Sequence, residues 1–205
     1  MIVVVDLGMG NLGSVPNCCT RIGYRAIISA DPNVVSQAEK LILPGVGSFD
    51  AAMKAMHARG LYDVLQRKVA KEKVPILGIC LGMQLMFEGS DEGREPGLRW
   101  MPGRFVKFPA QHEGRRLLVP HIGWNTVTPR AGKRLFAGMA DDAEFYFVHS
   151  FKLETTRDDF IAGTTEYGGS FVSAVEGDKI MGAQFHPEKS HQFGAQLIQN
   201  FLAMN

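Results

Sequence analysis

What this chain lacks narrows it first. No apolar run approaches the length of a membrane span. Neither charge sign dominates: Lys and Arg number 22 against 21 Asp and Glu, a formal net charge of +1, so neither a basic face for nucleic acid nor an acidic tail is indicated. The 205 residues hold only 3 cysteines, of which Cys18 and Cys19 are neighbours. That is no disulfide framework, and without a CxxC there is no zinc signature. Met1-Ile2-Val3-Val4-Val5-Asp6 has no basic leader and is too brief for a signal peptide. Repeats, low-complexity segments and linkers are missing too. These absences predict a cytoplasmic protein with no nucleic-acid or membrane partner, in a reducing compartment where a thiol stays free. With 45% hydrophobic residues the chain can build a sizeable core, and its length fits one domain over 1–205.

The first half alternates short apolar runs with amphipathic ones. Ile2 to Asp6, Ala26 to Ser29, Leu41 to Leu43 and Pro75 to Cys80 read as strands. Continuous apolarity is what a parallel strand buried on both faces requires. Between them fall a helix from Ser14 to Gly23 with Val15, Cys18, Cys19 and Ile22 on one face, and a helix capped by Ser48 carrying Phe49, Met53 and Met56. After Gly60, a further segment carries Leu61, Val64, Leu65 and Val69. From Gly103 onward the pattern is mostly strand: Arg104 to Phe108, Trp124 to Val127, Glu144 to Phe151, Ile161 to Tyr167, Phe171 to Val175 and Ile180 to Phe185. Gly177-Asp178 reads as a hairpin turn, and a last helix places Phe193, Leu197 and Phe201 on one face. The predicted fold is α/β: a three-layer sandwich around a central mixed, mostly parallel sheet.

The chemistry concentrates at strand ends. Gly78-Ile79-Cys80-Leu81-Gly82 sits where a strand meets a helix, with cysteine at the apex. This is the layout of a nucleophile elbow. Flanking glycines tolerate close approach and unusual dihedrals, and a helix N-terminus favours thiolate. A buried cysteine in a tight turn fits the same five residues. Gln184-Phe185-His186-Pro187-Glu188 ends the last strand, and residues two apart on an extended chain point the same way, so Glu188 can orient His186. Cysteine, imidazole and carboxylate satisfy the logic of nucleophile, base and orienter, although His-Pro-Glu alone also fits a surface turn. Pro44-Gly45-Val46-Gly47 follows the third strand, where its N–H groups and that of Leu81 could hold an oxyanion. The joint occurrence at strand ends of one sheet outweighs any one of the three.

These three motifs resemble the signatures of class I (triad) glutamine amidotransferases. Asp6-Leu7-Gly8-Met9-Gly10-Asn11-Leu12, Pro120-His121-Ile122-Gly123-Trp124-Asn125 and Phe145 to Phe151 resemble, within that family, the glutaminase subunits of imidazole glycerol phosphate synthases. The resemblance covers essentially the whole chain. It implies a catalytic triad of Cys80, His186 and Glu188, an oxyanion hole at Val46 and Leu81, and a glutamine site at Gly47, Gln84, Glu92, Ser150 and Phe151. It further implies a (β/α)₈-barrel cyclase subunit as heterodimer partner, faced by Asn11, His121, Trp124 and Tyr146, with ammonia passed across. Neither cofactor nor metal is implied. Two departures, Leu98-Arg99-Trp100-Met101 and Phe151 where a tyrosine is common, leave room for a paralogue serving a sugar-amidating synthetase. A standalone γ-glutamyl thiol hydrolase is the other alternative.

Gly8-Met9-Gly10-Asn11-Leu12-Gly13 is formally a GxGxxG after a strand, with Asp31 about twenty residues on, as in dinucleotide sites. Met9 and Asn11 put side chains where a pyrophosphate needs bare backbone, so these glycines are read as room for a partner or an active-site loop.

Overall fold

The computed structural model describes residues 1–140 and 142–204. Four parallel strands, β1 (Ile2–Val5), β2 (Ala26–Ser29), β3 (Lys40–Gly45) and β4 (Ile76–Cys80), form one half of the central sheet, with helices α1 (Ser14–Arg21), α2 (Pro32–Ser36), α3 (Phe49–Ala58) and α4 (Leu61–Leu65) between them. A π-helical stretch, Gln66–Lys71, continues α4. Helix α5 (Leu81–Leu85) starts directly from β4. Short strands β5 (Gly89–Ser90), β6 (Arg104–Lys107), β7 (Gln111–His112) and β8 (Arg115–Arg116) follow, then β9 (His121–Thr126), β10 (Thr128–Pro129), β11 (Glu144–His149), β12 (Phe151–Glu154), β13 (Ile161–Glu166), β14 (Ser170–Glu176), β15 (Ile180–Ala183) and helix α6 (His191–Ala203). The main sheet runs β2-β1-β3-β4-β15-β14-β12-β6-β5, with β13 and β10 joined to β14 as a side branch. β15 is parallel to β4 but antiparallel to β14, so the sheet turns mixed at the strand that leads to His186.

The alternation along the parallel strands shows why they read as continuous apolar runs. Val3, Val5, Leu41 and Leu43 pack into a core with Met53, Met56, Leu61 and Leu65, while Val4, Ile42, Leu77 and Ile79 pack into a second core with Cys18, Cys19, Leu197 and Phe201 on the opposite face. Both faces of the sheet are covered by helices, as a parallel sheet demands. Cys18 and Cys19 are buried packing residues; burial and the adjacent Cys18 raise the Cys19 thiol to about 11, which keeps it inert. Among the described residues, no helix is long and apolar enough to cross a membrane.

Several local expectations need correction. The run Glu144 to Phe151 is not one strand: β11 pairs with β9 in a separate two-stranded ribbon, and β12 joins the main sheet beside β6 and β14. The chain changes sheets at Ser150, which puts residues on either side of it along a cavity wall. Helix α2, whose Asp31 cap accepts from the Asn33 N–H, was not anticipated. Ser48 occupies the cap position of α3 without using its hydroxyl; Glu92 Oε2 accepts the Phe49 N–H instead, at 2.8 Å.

The glycines flanking Cys80 serve packing rather than dihedral freedom. Neither Gly78 nor Gly82 has positive φ; the strained residue is Cys80 itself, at φ 53°. A Cβ on Gly82 would stand 1.7 Å from the Leu43 carbonyl oxygen, and one on Gly78 2.8 Å from the Gly82 carbonyl. Helix α5 can therefore lie against β3 and β4 only because both residues lack side chains. Gly82→Ala is expected to destabilise the fold by about 3 kcal/mol or more, at the upper end of overpacking costs because the obstacle is backbone. Urea unfolding of the variant checks this; a midpoint equal to that of the unaltered chain contradicts it.

Candidate active site

Cys80 ends β4 and begins α5 with φ 53° and ψ −112°. A non-glycine residue in that region costs of order 1–3 kcal/mol and marks a position held there by its surroundings. The turn lifts the side chain off the strand, leaving Cys80 7% exposed at the floor of a cavity of about 320 Å³. Val46, Gly47, Leu81, Gln84, Glu92, Ser150, Phe151 and His186 line the same cavity. Every residue expected for glutamine binding and for the oxyanion hole is thus brought to one place. Val46 is 41% exposed at the rim just beyond β3, and Gly47 beside it has φ 98°, a conformation suited to glycine.

His186 arrives from β15, one strand over from β4. Its backbone N–H donates to the Tyr146 carbonyl at 2.9 Å, and its carbonyl accepts from the Ser190 hydroxyl, whose oxygen in turn accepts the Tyr146 N–H. Ribbon β9–β11 therefore clamps the backbone that carries the imidazole. The Nδ1 nitrogen lies 2.8 Å from Glu188 Oε1, and both side chains are almost fully buried, at 3% and 6% exposure. The link is not made along an extended strand as expected: Pro187–Lys189 is a 3₁₀ turn that folds Glu188 back under the ring. Since Glu188 accepts at Nδ1, the nitrogen left for the cavity is Nε2, which is buried and, among the described residues, without a hydrogen-bond partner, as is Glu188 Oε2.

Burial alone would lower the His186 pKa, but the neighbouring Cys80 sulfur and the Glu188 carboxylate outweigh it and raise the ring to about 9. A ring with that affinity holds a proton at neutral pH and has one to hand on. An NMR titration of the His186 ring should therefore show a midpoint well above 6.5, and both Glu188→Gln and Cys80→Ala should bring it down. A midpoint indifferent to both changes would remove these two groups as its cause.

A neutral histidine pair backs the far wall of the cavity. His149 Nδ1 lies 2.7 Å from the Phe151 carbonyl, which can only accept, so Nδ1 carries the proton. His149 Nε2 is then an acceptor for His121 Nδ1–H at 3.1 Å, and His121 Nε2 accepts from the Asn125 amide at 3.3 Å. Burial pushes His121 down to about 4 and His149 down to about 3. His121 was expected on the partner-facing surface. It is instead buried, stacked between Phe147 at 4.7 Å and Tyr167 at 3.9 Å. Trp124, 46% exposed and stacked on His191, Asn11, exposed, and Tyr146, half-buried, remain accessible. Of the departing segment, Trp100 donates from Nε1 to Gln66 Oε1 and packs on the core, which is a structural use. Gln184, given no role from sequence, lies buried between Gln84 and Cys80. Its place two residues before His186 on the same strand end was the available signal.

A family model described as glutamine amidotransferase class-I matches residues 3–204. The chain is 47% identical over 202 residues to imidazole glycerol phosphate synthase subunit HisH 2 of Methanococcus maripaludis, covering 98% of each chain. It is 44% identical over 204 residues to the HisH 2 subunit of Pseudomonas aeruginosa, covering 100% of each, and 43% identical over 201 residues to HisH of Bdellovibrio bacteriovorus, covering 98% of each. Among solved structures, PurLQS from Thermotoga maritima superposes with a TM-score of 0.76 at 16% identity, covering 98% of this chain and 96% of that one. The glutaminase domain of Trypanosoma brucei CTPS superposes with a TM-score of 0.65 at 14% identity, covering 100% and 94%. At such identities the structural matches speak for the fold alone.

Proposed function

The chain belongs to the class-I glutamine amidotransferase family, and on that premise we propose that it is the glutaminase subunit of an imidazole glycerol phosphate synthase, hydrolysing glutamine to glutamate and ammonia. The single observation that carries the chemistry is the juxtaposition at one cavity of Cys80 with a buried His186 that is bonded through Nδ1 to Glu188. Cys80 Sγ, its proton already held by His186 Nε2, attacks the carboxamide carbon of glutamine as the thiolate. Carbonyl π electrons move onto oxygen, where the Val46 and Leu81 N–H groups receive the charge. The C–N bond then breaks, His186 delivers its proton to the departing nitrogen, and ammonia leaves a glutamyl thioester on Cys80. Water, deprotonated by His186, cleaves that thioester and restores the thiol. Glu188 stays ionised, holding the ring in one tautomer and offsetting its positive charge.

Ammonia needs a second acceptor. On the other side of Val46, a neighbouring cavity of about 320 Å³ is lined by His186, Glu188, Val46 and the exposed Asn11. The two cavities share Val46 and His186, so the leaving group's route runs past the side chain that protonates it. The receiving protein is a (β/α)₈-barrel cyclase subunit that uses ammonia to make imidazole glycerol phosphate and AICAR. It docks over Asn11, Trp124 and Tyr146. The relatives named as synthase subunits support this reading.

The second reading is a paralogue whose partner amidates a sugar; the number 2 in two of the relatives' names fits the existence of paralogous subunits and carries nothing about their partner. Affinity capture of the native complex separates the two. A barrel cyclase that raises glutamate release when its nucleotide ligand is present supports the histidine pathway. A sugar-modifying synthetase supports the paralogue. Robust turnover of γ-glutamyl peptides by the isolated chain, with no partner captured, overturns both.

A further inference from the structure

We propose that Gln184 is a further residue of the reaction centre: its side-chain amide donates a hydrogen bond to the Cys80 sulfur and favours the thiolate, in an orientation set by Gln84. This rests on Cys80 being the nucleophile.

Gln184 is completely buried at the end of the strand that delivers His186, with its backbone N–H donated to the Ser173 carbonyl at 2.9 Å. A buried amide must find partners for its polar atoms or cost stability. Both partners of Gln184 belong to the site. Its Oε1 accepts from Gln84 Nε2 at 3.1 Å, and its Nε2 lies 3.7 Å from Cys80 Sγ, a hydrogen-bond distance for sulfur. A donor aimed at sulfur stabilises negative charge there more than it stabilises the thiol. Another polar neighbour of the sulfur, the Val148 carbonyl at 3.9 Å, can only accept from S–H and so favours the thiol. Gln184 is thus a side-chain donor set against that carbonyl, and it works from within the core rather than from the cavity.

The orientation of this donor is not arbitrary. Turning the Gln184 amide over would present its carbonyl to the sulfur, where it would accept S–H and hold the thiol. Gln84 would then have to turn as well, because two NH₂ groups cannot bond to each other. Gln84 lines the cavity and Gln184 does not. The pair is therefore a two-link relay: what binds to Gln84 from the cavity side fixes which face Gln184 shows to the nucleophile.

The test is the rate of Cys80 alkylation by iodoacetamide as a function of pH, read by mass spectrometry on the full chain, since only the thiolate reacts. Gln184→Met keeps the bulk and removes the donor. Gln184→Glu keeps the acceptor for Gln84 and removes the donor while adding negative charge beside the sulfur. With circular dichroism unchanged, Gln184→Met should slow alkylation at pH 7 about tenfold and move its midpoint upward, and Gln184→Glu should do more. A residue with a merely structural role would leave the midpoint in place. Should both variants fail to fold, the Gln184 side-chain amide resonance of the unaltered chain must shift as Cys80 titrates. An unmoved midpoint in folded variants, or an unmoved resonance, overturns the proposal. Glutamate release retained by Cys80→Ala would instead sink the glutaminase reading and leave the donor to sulfur standing.

Discussion

Cys80→Ala and Cys80→Gly are both expected to lose glutamate release by at least about 10⁴-fold in the complex with the synthase partner. Removing the nucleophile of a triad leaves only the binding and oxyanion contributions. The two variants should differ in stability, in the reverse of the usual order. Within regular structure alanine is normally the more stable of the pair, but at φ 53° the alanine Cβ keeps the strain that the cysteine bears. Glycine relieves it and should exceed alanine by about 1 kcal/mol, the lower end of the cost of holding a residue with Cβ in that sparsely populated region. Coupled glutamate-dehydrogenase assays and parallel urea titrations measure both quantities. Full activity in either variant ends the nucleophile assignment. Alanine proving the more stable would show that the elbow is relaxed and not strained.

That strain is itself informative about what a sequence discloses. The elbow was legible because a strand pattern ran without a break into a helix pattern around one cysteine. The parallel half of the sheet was legible because strands covered on both faces leave no polar alternation, as Val3-Val4-Val5 and Leu41-Ile42-Leu43 illustrate. Local patterns stop where a residue's role depends on what crosses to it from elsewhere. His121 sits in an alternating strand beside exposed Ile122 and Trp124, and the rings of Phe147, from β11, and Tyr167, from the end of β13, make it an interior residue. Glu92 stands in a polar run, and its use as the acceptor at the start of α3 depends on a contact across 43 positions. The break at Ser150 carries no turn signature, because it is a transfer between two sheets rather than a reversal of the chain. Gln184 was visible as a letter beside His186, but its contact with Cys80 spans 104 positions.

Acid should loosen this molecule from the cavity wall inward. His121 and His149 are neutral in the native state, with affinities of about 4 and about 3 against 6.5 for an unburied imidazole. In the unfolded chain both bind a proton as pH falls through 6.5. Between that point and the native values, unfolding therefore takes up protons, and stability rises with pH across the window and falls on acidification. Each ring contributes a slope that grows from about half of 1.4 kcal/mol per pH unit at 6.5 towards about 1.4 below it, so lowering the pH from 6.5 to about 5 should remove about 3 kcal/mol for the pair. Ordinary carboxylates have scarcely begun to titrate there, which assigns the loss to the imidazoles. Urea unfolding at a series of pH values should show the slope, and His121→Gln and His149→Gln should each take away about half of it. A stability profile flat between pH 5 and 6.5, or an unaltered slope in both variants, would falsify the neutral pair. The consequence for the reaction follows from connectivity. His149 donates to the Phe151 carbonyl, and the ribbon that holds both histidines also binds the His186 backbone through Tyr146. Protonating the pair puts two like charges 3.1 Å apart behind the glutamine site and strains the ribbon that fixes the general base. In the native state the pair takes up its first proton only near pH 4, so between pH 6.5 and 5 any loss of turnover from this source should track loss of the folded fraction rather than a change within the intact site.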